Sequence, residues 1–411
     1  MKIDKGIWKR FGPGIITGAS DDDPSGIATY SQAGAQFGLA TLWTAVLTFP
    51  LMSSIQEICA RIGAVTGTGL IGVLKTHYPK PISYLMLLFS FPAIVLNIGA
   101  DISAMGAVAN LVFPNIRASY FCGIFTALLL FLIIKLQYRT MARILRYLCV
   151  CLMVYILVPF IVGQQFGKIL PATLIPTIRF DKDFLAILVA ILGTTISPYL
   201  FFWQATMEVE ELKHAERKIV VNKRLIQEIA QDVNLGMFFS NLVMWFIILT
   251  AGTVLFRAGI HRIETVEQAA RALQPLAGNY ASLLFSLGVI ATGMLAIPVL
   301  SGSLSYIVCE TFDWKEGLDY KFHEAKPFYI IIIASLIVGL FITYLGISPI
   351  RSLIYAAVLY GVTAPVLIAI ILHISNNKKI MGKFTNNTMS NVLGIITLIL
   401  MTTAAFLMFL L

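Results

Sequence analysis

The run Ser20-Asp21-Asp22-Asp23-Pro24-Ser25-Gly26 sets three consecutive carboxylates, a proline and a glycine inside an otherwise apolar stretch. An acidic side chain at mid-bilayer costs roughly 3 kcal/mol on insertion scales, so Asp21, Asp22 and Asp23 cannot all face lipid. Pro24 lacks a backbone donor and Gly26 loosens the chain, which predicts a helix broken between them. Carbonyls freed by a broken helix, beside carboxylates in a protein-lined cavity, are the oxygen-rich surroundings of a hard cation. The expected chemistry is cation binding. Asp23 is the first candidate ligand, Asp22 contacts the ion directly or through water or else lines the vestibule, and Asp21 lies at the margin or pairs with a basic residue. Gly26 is expected to make room. The competing account of Asp23 is structural, since Asp before a helix start is a good N-cap.

A second interruption, Gly193 to Gln204 with Pro198 in its middle, predicts another broken helix five segments later. Broken helices at corresponding positions of two halves point to a transporter built from inverted repeats, with its substrate site at the repeat interface. The half-helices ending near Ser20 and Thr195 present free carbonyls at their negative ends, which suit a cation.

The elements that must position these residues are membrane spans. The 411 residues are 58% hydrophobic and 12% charged, with a mean hydropathy of +0.84, which excludes a soluble enzyme and describes a polytopic membrane protein in one domain. Eleven apolar segments lie near Phe11–Gly38, Thr41–Ile62, Ile82–Phe113, Ser119–Leu136, Ile144–Phe166, Phe184–Leu212, Gly236–Phe256, Ala281–Phe312, Pro327–Gly346, Ile350–Ile374 and Ser390–Leu411. Segments one to five (11–167) and six to ten (184–374) are the expected repeats, with segment eleven (390–411) peripheral. With the amino terminus in the cytoplasm, 22 of the 30 Lys and Arg side chains fall on the inner side, which puts the carboxyl terminus outside. The net charge of +9 therefore signals orientation rather than nucleic acid. The first segment holds the aspartates and lacks a small-residue cleavage pattern, so it is expected to stay in the chain.

Other candidates read more plainly. Cys59, Cys122, Cys149, Cys151 and Cys309 show no paired CxxC spacing and read as packing, while His77, His214, His261, His323 and His373 lie in loops or at segment ends and make no zinc site. Glu57 and Arg61 form an i,i+4 pair. Glu208, Glu210 and Glu211 draw cations through an inner vestibule or, as the plainer account, form a solvated helix end. Asp101 belongs to a cation pathway or is a buried partner for an Arg or a helix end.

The runs GPGIITGASDDDPSGIAT, QFGLATLW, ARIGAVTGTGL, GADISAM and ISPYLFFWQ together resemble the Nramp family of divalent metal transporters, and the likeness extends over essentially the whole chain by segment order. The resemblance implies an all-α LeuT-type fold: two inverted five-helix repeats plus an eleventh helix, with helices one and six broken. It also implies that the Ser20 and Thr194 carbonyls face the ion, and that Thr363 stands where the family often has a site-facing glutamine. A helix-bending threonine is the plainer account of Thr363.

The departures from the family pattern are chemical. The family's Asp-Pro-Gly-Asn is Asp23-Pro24-Ser25-Gly26, and its Met-Pro-His is Ser197-Pro198-Tyr199. Gln204 replaces a second histidine, and Ala104 replaces the glutamate three residues after Asp101. A thioether favours transition metals, and without it the site suits a hard ion that keeps its water, as magnesium does. Ser197 then either satisfies the broken backbone or touches a coordinated water. These departures resemble the Nramp-related magnesium transporter branch, and they remove titratable groups that would carry protons.

The expected function is alternating-access transport of hydrated Mg2+ and Mn2+ across the cell membrane without proton coupling, the metal being substrate and no cofactor being required. A proton-coupled manganese or iron importer is the nearest alternative. An intramembrane aspartate-dependent enzyme lacks a second acidic motif, and in a sodium-coupled amino-acid symporter three acids would repel the substrate carboxylate. The sequence fixes no oligomeric state, and a monomer suffices.

Overall fold

A computed structural model describes residues 12–135, 154–161, 166–213 and 221–410. Among the described residues the secondary structure is helical throughout. The basic clusters before residue 11 and at 136–146, most of segment five with Cys149 and Cys151, and His214 lie outside them.

The helices run in chain order as α1 (Pro13–Asp21), α2 (Pro24–Phe37), α3 (Trp43–Thr66), α4 (Leu70–His77), α5 (Lys80–Val112), α6 (Ala118–Lys135), α7 (Val154–Ile161), α8 (Phe166–Leu174), α9 (Lys182–Thr195), α10 (Pro198–Lys213), α11 (Lys223–Val254), α12 (Ala281–Phe312), α13 (Lys326–Ile342), α14 (Pro349–Asn376) and α15 (Thr388–Leu410). Among the described residues, eight helical stretches are long and apolar enough to cross a membrane, and α3 with the bent α4 makes a ninth. The other two of the eleven expected segments are the broken α1–α2 and segment five. Segment seven begins earlier than its apolar stretch suggests: α11 starts at Lys223, where the Asn222 side chain accepts the Leu225 N–H at 2.9 Å.

The first break falls one step before the place its composition suggests, and the second follows the half-helix end expected near Thr195. The first lies at Asp22 and Asp23, and Pro24 opens α2 instead of interrupting a helix. Proline is tolerated there because the first helical N–H has no partner to lose. The second lies at Ile196 and Ser197, and Pro198 likewise opens α10.

Each broken helix rests on an unbroken helix of the other half. The first, α1 and α2, packs along α11, and α10 packs along α3. Small residues permit this closeness, which drives helix association where lipid provides no hydrophobic contrast. A Cβ on Gly18 would fall within 3 Å of the Gly236 backbone, and one on Gly63 would collide with the Ala205 backbone. The long α5 crosses the centre, packing on α12 and α14.

Candidate metal site

The site grows from the first break. The Asp23 Oδ1 accepts the Gly26 N–H at 2.7 Å and so caps α2, while Oδ2 accepts the Asn97 amide of α5 at 2.8 Å. Ligand and cap are therefore not exclusive readings of Asp23, because each oxygen has lone pairs beyond these bonds. Asp21 and Asp22 turn away toward α11. The Ser240 hydroxyl donates to Asp21 Oδ2 at 2.9 Å and lies 3.5 Å from Asp22 Oδ1. Three consecutive aspartates thus point along more than one direction, and among the described residues no three acidic, histidine or cysteine side chains converge on one point.

Hydroxyls tie the two breaks together. Ser25 and Thr194 are joined at 3.2 Å, and Tyr30 and Thr195 at 3.0 Å. The Tyr199 hydroxyl donates to the Ser20 carbonyl at 2.9 Å. Ser197 donates to the Thr194 carbonyl at 2.6 Å and reaches that of Gly193 at 3.2 Å, the backbone-satisfying role considered for it. Gly26 faces Tyr30 and Thr194 so closely that a Cβ there would sit 3.2 Å from the tyrosine ring. Thr363 spends its hydroxyl on the carbonyls of Leu359 and Tyr360 within its own helix, at 2.9 and 3.3 Å. Each group placed at the breaks by these contacts is an oxygen or an amide.

Asp101 is fully buried on α5, and neither carboxylate oxygen has a hydrogen-bond partner among the described residues, so the Arg or helix-end pairing considered for it is not made. It lies within electrostatic reach of Asp23. Asn97, which the sequence reading passed over, stands four residues before it on the same helix face. That i,i+4 polar pair in an apolar span was the available signal. Ser240 carried none, being a lone serine in a helix.

Further polar contacts seat α1 and α10 away from the breaks. The Asp232 carboxylate of α11 accepts the N–H groups of Gly12 and Gly14 at 2.9 and 2.7 Å, seating the amino terminus of α1. Thr17 donates to Gln204 at 2.5 Å, and the Gln204 amide donates to Glu208 at 2.9 Å. Glu208 is therefore 3% exposed instead of solvated, a correction that follows from α10 continuing inward against α3 and α12. Asp21, Asp22 and Asp23 are buried as well, at 1%, 3% and 2% exposure. Glu57 and Arg61 form the expected pair at 2.9 Å, and Arg61 also holds the Phe384 carbonyl and Asn386.

A family model described as natural resistance-associated macrophage protein-like, Nramp, matches residues 14–411. The divalent metal cation transporter MntH of Caldanaerobacter subterraneus subsp. tengcongensis is 23% identical over 396 residues, covering 95% of this chain and 90% of that protein. The protein of the same name from Klebsiella pneumoniae is 25% identical over 395 residues, covering 93% and 89%. Among solved structures, the Eremococcus coleocola manganese transporter aligns with a TM-score of 0.75 at 17% identity, covering 98% of this chain and 87% of that one. Mhp1, a nucleobase-cation-symport-1 family transporter, aligns in a closed conformation with a TM-score of 0.56 at 14% identity, covering 97% and 92%. These likenesses give the chain the LeuT-type fold expected from its sequence.

Proposed function

The chain belongs to the Nramp family, and from that premise we propose that it is a divalent metal transporter, not an enzyme, that carries Mg2+ as well as Mn2+ by alternating access in the cell membrane. Residues 11–167 and 184–374 act as the two inverted repeats, with the amino terminus inside. Asp23 is the inner-sphere ligand, with the carbonyls of Ser20 and Thr194 beside it, and Asp22, turned toward Ser240, reaches the ion through water.

The observation that carries the magnesium reading is the character of the second break. Ser197 and Tyr199, where the family resemblance places a thioether and an imidazole, present hydroxyls already engaged with backbone carbonyls. Such a site offers a metal few strong protein ligands, and a magnesium ion that keeps several waters needs few. The same replacements, with Gln204 bonded between Thr17 and Glu208, remove the imidazoles that would take up protons with the metal.

Purified protein in liposomes, with a lumenal magnesium indicator and a lumenal pH dye, tests both parts. Magnesium and manganese are expected to enter without matching acidification. Manganese uptake with stoichiometric protons and exclusion of magnesium would replace this reading with the proton-coupled importer.

A further inference from the structure

Most atoms left unpartnered around the first break are pure acceptors. Asp21 Oδ1, Asn97 Oδ1 and both oxygens of Asp101 are buried without a hydrogen bond among the described residues, against the hydroxyls of Thr29 and Tyr360, which can donate as well as accept. Buried polar groups in folded proteins are nearly always satisfied, so acceptors in this number suit an occupant rich in hydrogen-bond donors. Asn97, Asp101 and Met105 succeed one another on one face of α5. Asn97 holds Asp23, and Met105 and Pro24 both abut Gly293, so this face runs along the break with Asp101 in its middle.

We infer that Asp101 and Asn97 are positioning residues that accept hydrogen bonds from the water shell of the transported ion, setting a hydrated divalent cation against Asp23. This deepens the magnesium reading and rests on it. A bare ion would need several side chains converging on it, and the aspartates diverge. A proton on Asp101 would add a single donor and leave the remaining acceptors unmet. Metal-bound waters each bring two polarised hydrogens and extend the reach of the ion past its first shell. Carboxylate oxygens are acceptor-only when ionised, which matches them to that shell.

Hexaamminecobalt(III) is the probe, because its ammonia ligands donate hydrogen bonds and do not exchange, so a protein binds it only through the outer sphere. It is expected to compete with Mg2+ for uptake into proteoliposomes of wild-type protein. Asp101→Asn should weaken that competition about tenfold and raise the KM for Mg2+ by a similar factor, with the maximal rate little changed. Asp101→Glu should restore both. Asp101→Ser serves in place of the asparagine variant if that one does not insert. Wild-type magnesium uptake indifferent to hexaamminecobalt(III), or competition equal in the wild type and Asp101→Asn, overturns the inference while the magnesium reading stands. Absence of magnesium uptake by the wild type overturns the magnesium reading itself.

Discussion

Asp23→Asn separates the two tasks that Asp23 performs with its two oxygens. The cap on α2 needs one acceptor toward the Gly26 N–H, and Asn supplies it as well as Asp does. The other oxygen accepts from Asn97 Nδ2, a bond an amide nitrogen in that place cannot accept. Asn97 Oδ1 has no partner, however, so turning the Asn97 amide over restores the contact with donor and acceptor exchanged. The asparagine variant should therefore fold with nearly unchanged stability. Asp23→Ala loses the cap, worth about 0.5–2 kcal/mol, and is expected to melt earlier while still inserting. For the ion, both variants remove a charged contact. A bond to a charged group contributes about 1.5–3 kcal/mol, which predicts half-saturation by Mg2+ raised roughly tenfold to hundredfold in Asp23→Asn. Uptake should be abolished in Asp23→Ala. Thermal unfolding in detergent and Mg2+ uptake by the same preparations decide it. An asparagine variant with wild-type half-saturation would show that Asp23 is a cap alone and that the ion sits elsewhere.

Reporter fusions at both termini should place the amino terminus in the cytoplasm and the carboxyl terminus outside, and a cytoplasmic carboxyl terminus would reveal a miscounted span. Asp232→Ala strips the acceptor from the Gly12 and Gly14 amides, a loss of about 1–3 kcal/mol, and amide hydrogen exchange across α1 should accelerate; unchanged exchange would mean that α1 is held by packing alone. Gly26→Asn with Ser197→Met should lower magnesium uptake relative to manganese, because an amide and a thioether displace water from the ion; an unchanged ratio would remove these positions from selectivity. Beyond the inner end of α12, burial and the neighbouring Glu310 push the Glu316 carboxyl up to about 9, whereas the unfolded chain ionises it in the ordinary carboxylate range. The folded state then binds the extra proton between those values, so stability falls as pH rises through that window. Glu316→Gln should flatten that fall in thermal unfolding, and an unaltered pH profile would remove Glu316 from it.

The break at Asp23 was legible because proline, glycine and charge in an apolar run violate several rules of a membrane helix at once, and the second break was legible through Pro198. The first break lies a residue or two before residues 24–26, which were expected to hold it, because a proline opens a helix as readily as it interrupts one and only cap geometry separates those cases. The half-helix end expected near Thr195 is where the second break begins. Asp22 and Asp23 adjoin in sequence but diverge in space, since one closes α1 and the other caps α2, and that divergence depends on the dihedral angles at the break. Glu208 was read as solvated because its acidic neighbours Glu210 and Glu211 gave it the look of a helix end. Its burial depends on Gln204 and on how α10 lies between α3 and α12, which no local pattern records. The partnerless state of Asp101 was equally illegible, for it is a statement about every helix around it.

The two helix-end carbonyls add a constraint of their own. A carbonyl has two lone pairs, and Ser20 and Thr194 have each committed one to a hydroxyl. What remains is a single acceptor direction on each, enough for a water on a hydrated cation. Tyr199 belongs to α10 and Ser20 to α1, so the bond between them spans the two halves and holds only while α1 lies against α10. Under the proposed alternating access, a separation of α1 from α10 would release the Ser20 carbonyl from the tyrosine and return both its lone pairs. On that proposal Tyr199, standing where the family resemblance places an imidazole, would link closure of the site to how strongly the first break holds an ion, through a hydroxyl that exchanges partners without changing charge.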